Sequence, residues 1–238
     1  MKGLKRLFVG CVFLLTVLIP GPGDVQALQT PHHDVVREVA TSQKVVALTF
    51  DDGPYPNTPH ILDTLKKYDA KATFFSIGKR VEWLPDTIRR EAAEGHELAN
   101  HTFNHPSMRR ISPEKLHEEI VHASDTMEKV AQVKPVLFRP PGGYYNEMIV
   151  STAAADHCTV VMWSPNLDTK DWTRPGVYKI VQCVLKNVRN GSIVLFHDRE
   201  PQTTEALEQI LPALKKQGYT FVTVSELLQV RNAPTNSH

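Results

Sequence analysis

Two short stretches carry residue types that can activate water. Thr49-Phe50-Asp51-Asp52-Gly53-Pro54 puts adjacent carboxylates at the end of the apolar run Val45–Leu48, with a Gly-Pro turn directly after. His101-Thr102-Phe103-Asn104-His105 spaces two imidazoles i, i+4, so that on a helical turn both face the same way. One Asp and two His make a three-ligand set for a catalytic divalent metal, with a position left open for water. On this reading Asp52, His101 and His105 are the ligands. A lone His-x-x-x-His pair more often marks a surface helix, and it is the Asp-Asp-Gly-Pro turn that favours a metal. Asp51 is then free to act as a base, since a carboxylate beside a cation stays ionised. Two imidazoles and a carboxylate suit zinc, and also cobalt or nickel.

Other polar residues stand where such a site needs them. Arg139 lies in Phe138-Arg139-Pro140-Pro141-Gly142-Gly143 and could orient Asp51; the alternative is a surface arginine. The Pro-Pro-Gly-Gly turn leaves bare N–H groups, and that of Gly142 could serve an oxyanion. His197 ends the apolar run Ile193–Phe196, either as a structural histidine or as a general acid. Asp171 could pair with His197 and keep it protonated, unless Asp168 and Asp171 belong to a solvated loop. Trp172 and Leu195 could wall a small apolar pocket, with core packing the alternative for Trp172. His96, His117, His122 and His157 lack such context and read as structural or exposed.

The elements that would hold these residues alternate. β-rich apolar runs occur at 45–50, 72–77, 96–100, 136–138, 159–163, 192–196 and 220–222. Between them, helical spacing appears at 58–68, 86–94, 112–130, 147–156, 175–187 and 203–217. Ser112-Pro113-Glu114 is a good helix start, and Gly95 and Gly218 stand where helices stop. Alternation of this kind predicts a parallel sheet, and its repetition within one domain favours a (β/α) barrel. The chemistry of such folds sits at strand C-termini, where Asp51, Asp52, His101, Arg139 and His197 all fall.

The chain has 238 residues, enough for one domain with a real core. Its net charge of +1 gives no reason to expect nucleic acid as a partner. No internal repeat or low-complexity stretch is visible, and no feature calls for an obligate protein partner. Residues 1–27 differ in kind: Lys2, Lys5 and Arg6 precede an apolar run from Leu7 to Ile19, then Pro20-Gly21-Pro22 and the small residues around Ala27. This is the pattern of a secretory signal peptide, or of a membrane anchor if uncleaved. The run is shorter than the roughly 20 residues a spanning helix usually needs. Either reading exports the folded part. Residues 28–43 read as a polar linker, 44–230 as the catalytic domain and 231–238 as a polar tail. Cys158 and Cys183 remain after the signal; they read as small buried hydrophobes rather than a disulfide.

Taken in order, Thr49–Pro54, His101–His105, Arg139–Gly143, Asp168–Trp172 and Leu195–His197 resemble the five motifs of the NodB-type polysaccharide deacetylases, carbohydrate esterase family four. The resemblance spans about Lys44 to Leu228. It implies a distorted (β/α) barrel of seven to eight parallel strands that hydrolyses N-acetyl or O-acetyl groups on sugar polymers. By the same resemblance Asp51 is the base, Asp52, His101 and His105 hold the metal, Arg139 steadies Asp51, and His197 is the acid tuned by Asp171. Trp172 and Leu195 line the acetyl pocket. Family members commonly carry an aromatic where this chain has Gly142, and Tyr144 or Tyr145 could replace that wall of the groove. The expected substrate is a cell-wall or chitin-like glycan, with peptidoglycan N-acetylglucosamine first because an exported bacterial enzyme meets it. An O-acetyl xylan esterase, or a weakly catalytic glycan-binding relative, are the competing readings.

Overall fold

All seven residues of the first strand, β1 (Val45–Asp51), are buried. The cause is visible in its neighbours. Val45 and Ala47 point into an interior cluster with Phe75, Ala99, Leu137, Val161 and Ile193. Val46, Leu48 and Phe50 point the other way, against the surrounding helices. A parallel strand covered on both faces needs such a continuous apolar run.

The computed structural model describes residues 35–231. After β1 come α1 (Thr58–Lys67), β2 (Thr73–Ser76), α2 (Gly78–Trp83), α3 (Pro85–Ala93), β3 (Glu97–Asn100), α4 (Pro113–Ala131) and β4 (Leu137–Phe138). Then follow α5 (Glu147–Ala155), β5 (Thr159–Val160), α6 (Val177–Asn187), β6 (Ser192–His197), α7 (Pro201–Lys216), β7 (Thr220–Val222) and α8 (Val224–Arg231). The strands form one parallel sheet in the order β5-β4-β3-β2-β1-β6, with β7 also paired to β1. The result is a curled, barrel-like α/β domain, as the alternation predicted.

Register carries the chemistry. Phe50 lies level with Phe74 on one side and Phe196 on the other, and the three rings stack at centroid distances of 5.1 and 5.5 Å. One residue on, the same row sets Asp51 beside His197. The opposite end of the barrel is closed by α8. The Val224 and Ser225 N–H groups donate to Thr73 Oγ1 and Glu97 Oε2, and Val224 and Leu227 join the interior cluster. Ser112 caps α4 by accepting from the Lys115 N–H, as its Ser-Pro start predicted.

Two expectations need correction. The segment read as a linker is in part structural: Val36 bridges Val161, Glu38 bridges Ser192, and Val36 and Val39 are buried in the interior cluster. These short bridges span the gap between β5 and β6. Their apolar residues are too few and too irregular to stand out as a strand in the sequence. Second, the short α2 and α8 went unpredicted, because a segment of this length shows little periodicity. The proposed signal segment and residues 232–238 lie outside the described residues. Cys158 and Cys183 are both free. Cys158 is buried, and burial pushes its thiol up to about 11. Cys183 is half-buried on α6.

Candidate metal centre and catalytic cleft

Asp52 follows the last residue of β1 and adopts a left-handed conformation (φ 74°) that Asp tolerates better than most side chains. The turn after it is held from behind by Asp198. A Cβ at Gly53 would sit 2.2 Å from Asp198 Oδ2, so only glycine lets the two segments approach this closely. Asp198 accepts from Thr58 Oγ1 and is fully buried, and burial pushes its carboxyl up to about 7.

His101 and His105 do not sit on a helical turn, contrary to the i, i+4 expectation. Thr102 and His105 have φ of 66° and 56°, and residues 101–107 form an irregular loop. The N–H groups that a helix would turn toward carbonyls go to side chains instead. Asn100 Oδ1 accepts from the Thr102 N–H at 2.8 Å. Buried Glu119 on α4 accepts from Phe103 and Asn104 N–H at 3.1 and 2.7 Å. Thr102 Oγ1 accepts from the His105 N–H at 3.0 Å. A β-branched residue in the left-handed region is strained, and these contacts hold it there.

The loop nevertheless brings both imidazoles to one point. His101 Nε2 lies 3.4 Å and His105 Nε2 3.2 Å from the same oxygen, Asp52 Oδ1. A tetrahedral ion with bonds of about 2.1 Å has ligand atoms about 3.4 Å apart. The donor set therefore fits a first-row divalent metal, with the three candidate ligand atoms all within 4.8 Å of one another. His101 is oriented for the purpose: its Nδ1–H donates to the Arg139 carbonyl at 2.7 Å, which leaves Nε2 as the lone-pair donor in the neutral ring. Burial pushes the Asp52 carboxyl up, but hydrogen bonds from His101 and His105 outweigh it and hold the group well below the usual carboxylate range. The bond to Asp52 pushes His105 up against its burial.

Asp51 sits deeper, 4% exposed, and faces a fully buried Arg139. The guanidinium donates to Asp51 Oδ1 at 2.6 Å and to Thr49 Oγ1 at 2.8 Å. Its other N–H groups reach the carbonyls of Val161 and Met162, and it stacks 4.0 Å from the Phe75 ring centre. Burial pulls its pKa down and Asp51 pushes it back; arginine stays charged. Asp51 Oδ2 is left 4.0 Å from His101 Nε2, on the metal side.

The second histidine system lies across the cleft. Asp171, fully buried, receives His197 Nδ1–H at 2.8 Å through Oδ1. Its Oδ2 receives the His197 N–H at 2.8 Å and Thr203 Oγ1 at 2.7 Å. Burial lowers the pKa of His197, but Asp171 and the charges of Asp51 and Asp52 outweigh it and push the imidazole up to about 9. Among the described residues, His197 Nε2 has no hydrogen-bond partner.

One cavity of about 380 Å³ collects these groups: Asp51, Asp52, His101, His105 and His197 line it, with Trp172, Leu195 and Gly142. Trp163, Asp168 and Arg199 line it as well. Gly142 is exposed, and no heavy atom lies within 4 Å of the place its Cβ would take. Tyr145 is not among the lining residues, against expectation. Its hydroxyl accepts from Arg37 Nη2 at 3.1 Å, and the residue packs against a separate hydrophobic cluster that includes Phe138 and Ile149. Sequence reasoning missed Trp163, Thr203 and Glu119, and it missed the support that Asp198, noticeable as the acid directly after His197, gives the turn at Gly53.

The sequence pattern of the polysaccharide deacetylase family matches residues 38–161. A peptidoglycan-N-acetylglucosamine deacetylase of Bacillus cereus is 48% identical over 202 residues, covering 83% of this chain and 94% of that protein. A chitooligosaccharide deacetylase of Bradyrhizobium sp. is 40% identical over 198 residues, covering 76% of this chain and 90% of its own. Among solved structures, a family 4 acetyl xylan esterase from Clostridium thermocellum, in complex with a cobalt ion, is similar at a TM-score of 0.72. It is 36% identical, and the match covers 80% of this chain and 93% of that one. The chain belongs to the polysaccharide deacetylase family of hydrolases.

Proposed function

We propose that the protein removes N-acetyl groups from N-acetylglucosamine in peptidoglycan, outside the cytoplasm, with a divalent metal held by Asp52, His101 and His105. The observation that carries the reading is the single cavity in which the metal-ligand triad, a steadied carboxylate and a protonated imidazole meet. Peptidoglycan is favoured by the 48% identity to a peptidoglycan deacetylase, and export by the signal-like residues 1–27. Zinc is the expected metal, with cobalt or nickel as substitutes.

When bound, the metal supplies a Lewis acid that polarises the acetyl carbonyl and makes water acidic. The chain's own groups do the rest. Arg139 fixes Asp51 through Oδ1, so Oδ2 accepts the proton of the attacking water. Water adds to the acetyl carbon, and the Gly142 N–H donates to the oxygen that gains charge. His197 Nε2 gives its proton to the leaving nitrogen as the C–N bond breaks, so acetate and a free amine are the products. Asp171 holds the ring for this step through Nδ1. Trp172 and Leu195 exclude water around the acetyl methyl.

The similarity to an acetyl xylan esterase supports a second reading, in which the same groups cleave an O-acetyl ester. The test is acetate release from peptidoglycan, from N-acetylglucosamine oligomers and from acetylated xylan, by metal-stripped protein with and without added zinc or cobalt. Metal-dependent release that is fastest from peptidoglycan supports the proposal. Release from acetylated xylan alone replaces it with the esterase reading.

A further inference from the structure

A second cavity of about 420 Å³ adjoins the candidate metal triad. Asp52 and His105 line both cavities, so the two meet at the triad. Ile77, Lys79, Arg80, Trp83 and Asn104 complete the second one. Its chemistry differs from that of the first. It presents two cations and an exposed indole, and its only acid is the metal ligand Asp52.

The lobe is built rather than incidental. The Gly78 and Lys79 N–H groups donate to the carbonyls of Thr102 and Phe103, both at 3.0 Å. The start of α2 is thus tied to the loop that carries the histidines. A Cβ at Gly78 would lie 2.5 Å from the Phe103 ring and 3.0 Å from the Ala123 backbone, so the contact depends on glycine. The Arg80 guanidinium lies over Tyr55, 3.8 Å from the ring centre, on the segment that follows Asp52. Among the described residues neither Lys79 nor Arg80 has an ion-pair partner, and Glu82, the one acid of α2, does not line the cavity. Trp83 is 61% exposed at the end of the same helix. An indole left in water beside a reaction site is suited to stacking on a sugar face.

A polymer laid across both cavities places a neighbouring sugar in this lobe. In chitin-like and xylan chains that neighbour is neutral. In peptidoglycan it is N-acetylmuramic acid, whose 3-O-lactyl group ends in a carboxylate or carries a peptide that bears carboxylates. We infer that Lys79, Arg80 and Trp83 form a specificity subsite for a carboxylate-bearing sugar beside the reacting N-acetylglucosamine. The inference rests on the peptidoglycan reading and names what would select that polymer over neutral glycans.

The test compares kcat/KM of the metal-loaded enzyme on three soluble oligomers. One is neutral N-acetylglucosamine tetramer, one is an alternating N-acetylglucosamine–N-acetylmuramic acid tetramer without peptide, and one is the same tetramer with its peptides. Lys79→Glu alters an exposed side chain and should fold; Arg80→Gln is the second variant, with thermal melting as a control on both. Each is expected to lose about tenfold more on carboxylate-bearing oligomers than on the neutral one, mostly in KM, as loss of a charge-assisted hydrogen bond requires. Added salt should narrow the wild-type preference in the same direction. A selective loss on the peptide-free oligomer assigns the lactyl carboxylate; a loss only with peptide present assigns the peptide's carboxylates. Equal losses on all three, or none, with an active wild type overturn the subsite. A wild type that releases acetate from none of them overturns the deacetylase reading itself.

Discussion

The two aspartate–histidine systems of the cleft use the same residue types in opposite ways. In Asp171–His197 the carboxylate lies behind the ring and is saturated: it accepts from the His197 ring and backbone and from Thr203. Its charge serves one purpose, to favour the imidazolium, and His197 is pushed up to about 9. In the triad the ring of His101 is anchored through Nδ1 on a backbone carbonyl instead, and both Nε2 atoms converge with Asp52 on one point. A backbone carbonyl orients a ring without adding a full negative charge. The triad therefore suits a metal cation, and the Asp171 pair suits a proton. What stands behind the ring decides the role, not the histidine itself.

Substitutions that break one system and spare the other sharpen this contrast. The largest effect is expected from His101→Ala, which removes a proposed metal ligand. Metal content should fall well below one equivalent and kcat/KM about a thousandfold or more, since the metal's contribution amounts to several kcal/mol. Asp51→Asn keeps an acceptor for Arg139, so the protein should fold and bind metal while kcat drops about a hundred- to a thousandfold. Asp171→Asn should cost about tenfold at neutral pH and change the pH profile. As the proposed acid, His197 must be protonated to donate, so activity is expected to fall as pH rises through its pKa. That alkaline limb lies at or below about 9 in the wild type and should move toward the ordinary value in the variant. The same shift affects stability. The contribution of the charged His197 is fully present below the unfolded-state value of about 6.5. It is lost as pH rises through about 9. Smallest is Thr203→Val, which removes one hydrogen bond to Asp171 and should lower kcat about fivefold, with metal content unchanged.

The site was largely legible because its residues sit at strand ends, where short motifs carry the pattern. Asp51, Asp52, Arg139 and His197 all lie where alternation placed them. What was not legible depends on contacts between distant segments. The loop of His101 and His105 was expected to be helical, because spacing alone cannot show that Asn100 and Glu119 take its N–H groups. Tyr145 was expected in the groove, yet Arg37, from a segment read as linker, holds it elsewhere. Trp163 follows a two-residue strand, and nothing in its neighbours marks it as a wall of the cavity. The α/β alternation was clear, whereas the bridges of Val36 and Glu38 are single pairings with no periodicity to detect.

The most direct test of the contrast is metal stoichiometry, measured beside acetate release for the wild type, His101→Ala and His197→Ala after equilibration with zinc. The expected result is one equivalent in the wild type and in His197→Ala, much less in His101→Ala, and severe loss of activity in both variants. Metal retained by His101→Ala, or lost from His197→Ala, would contradict the assignment of one histidine system to the cation and the other to the proton.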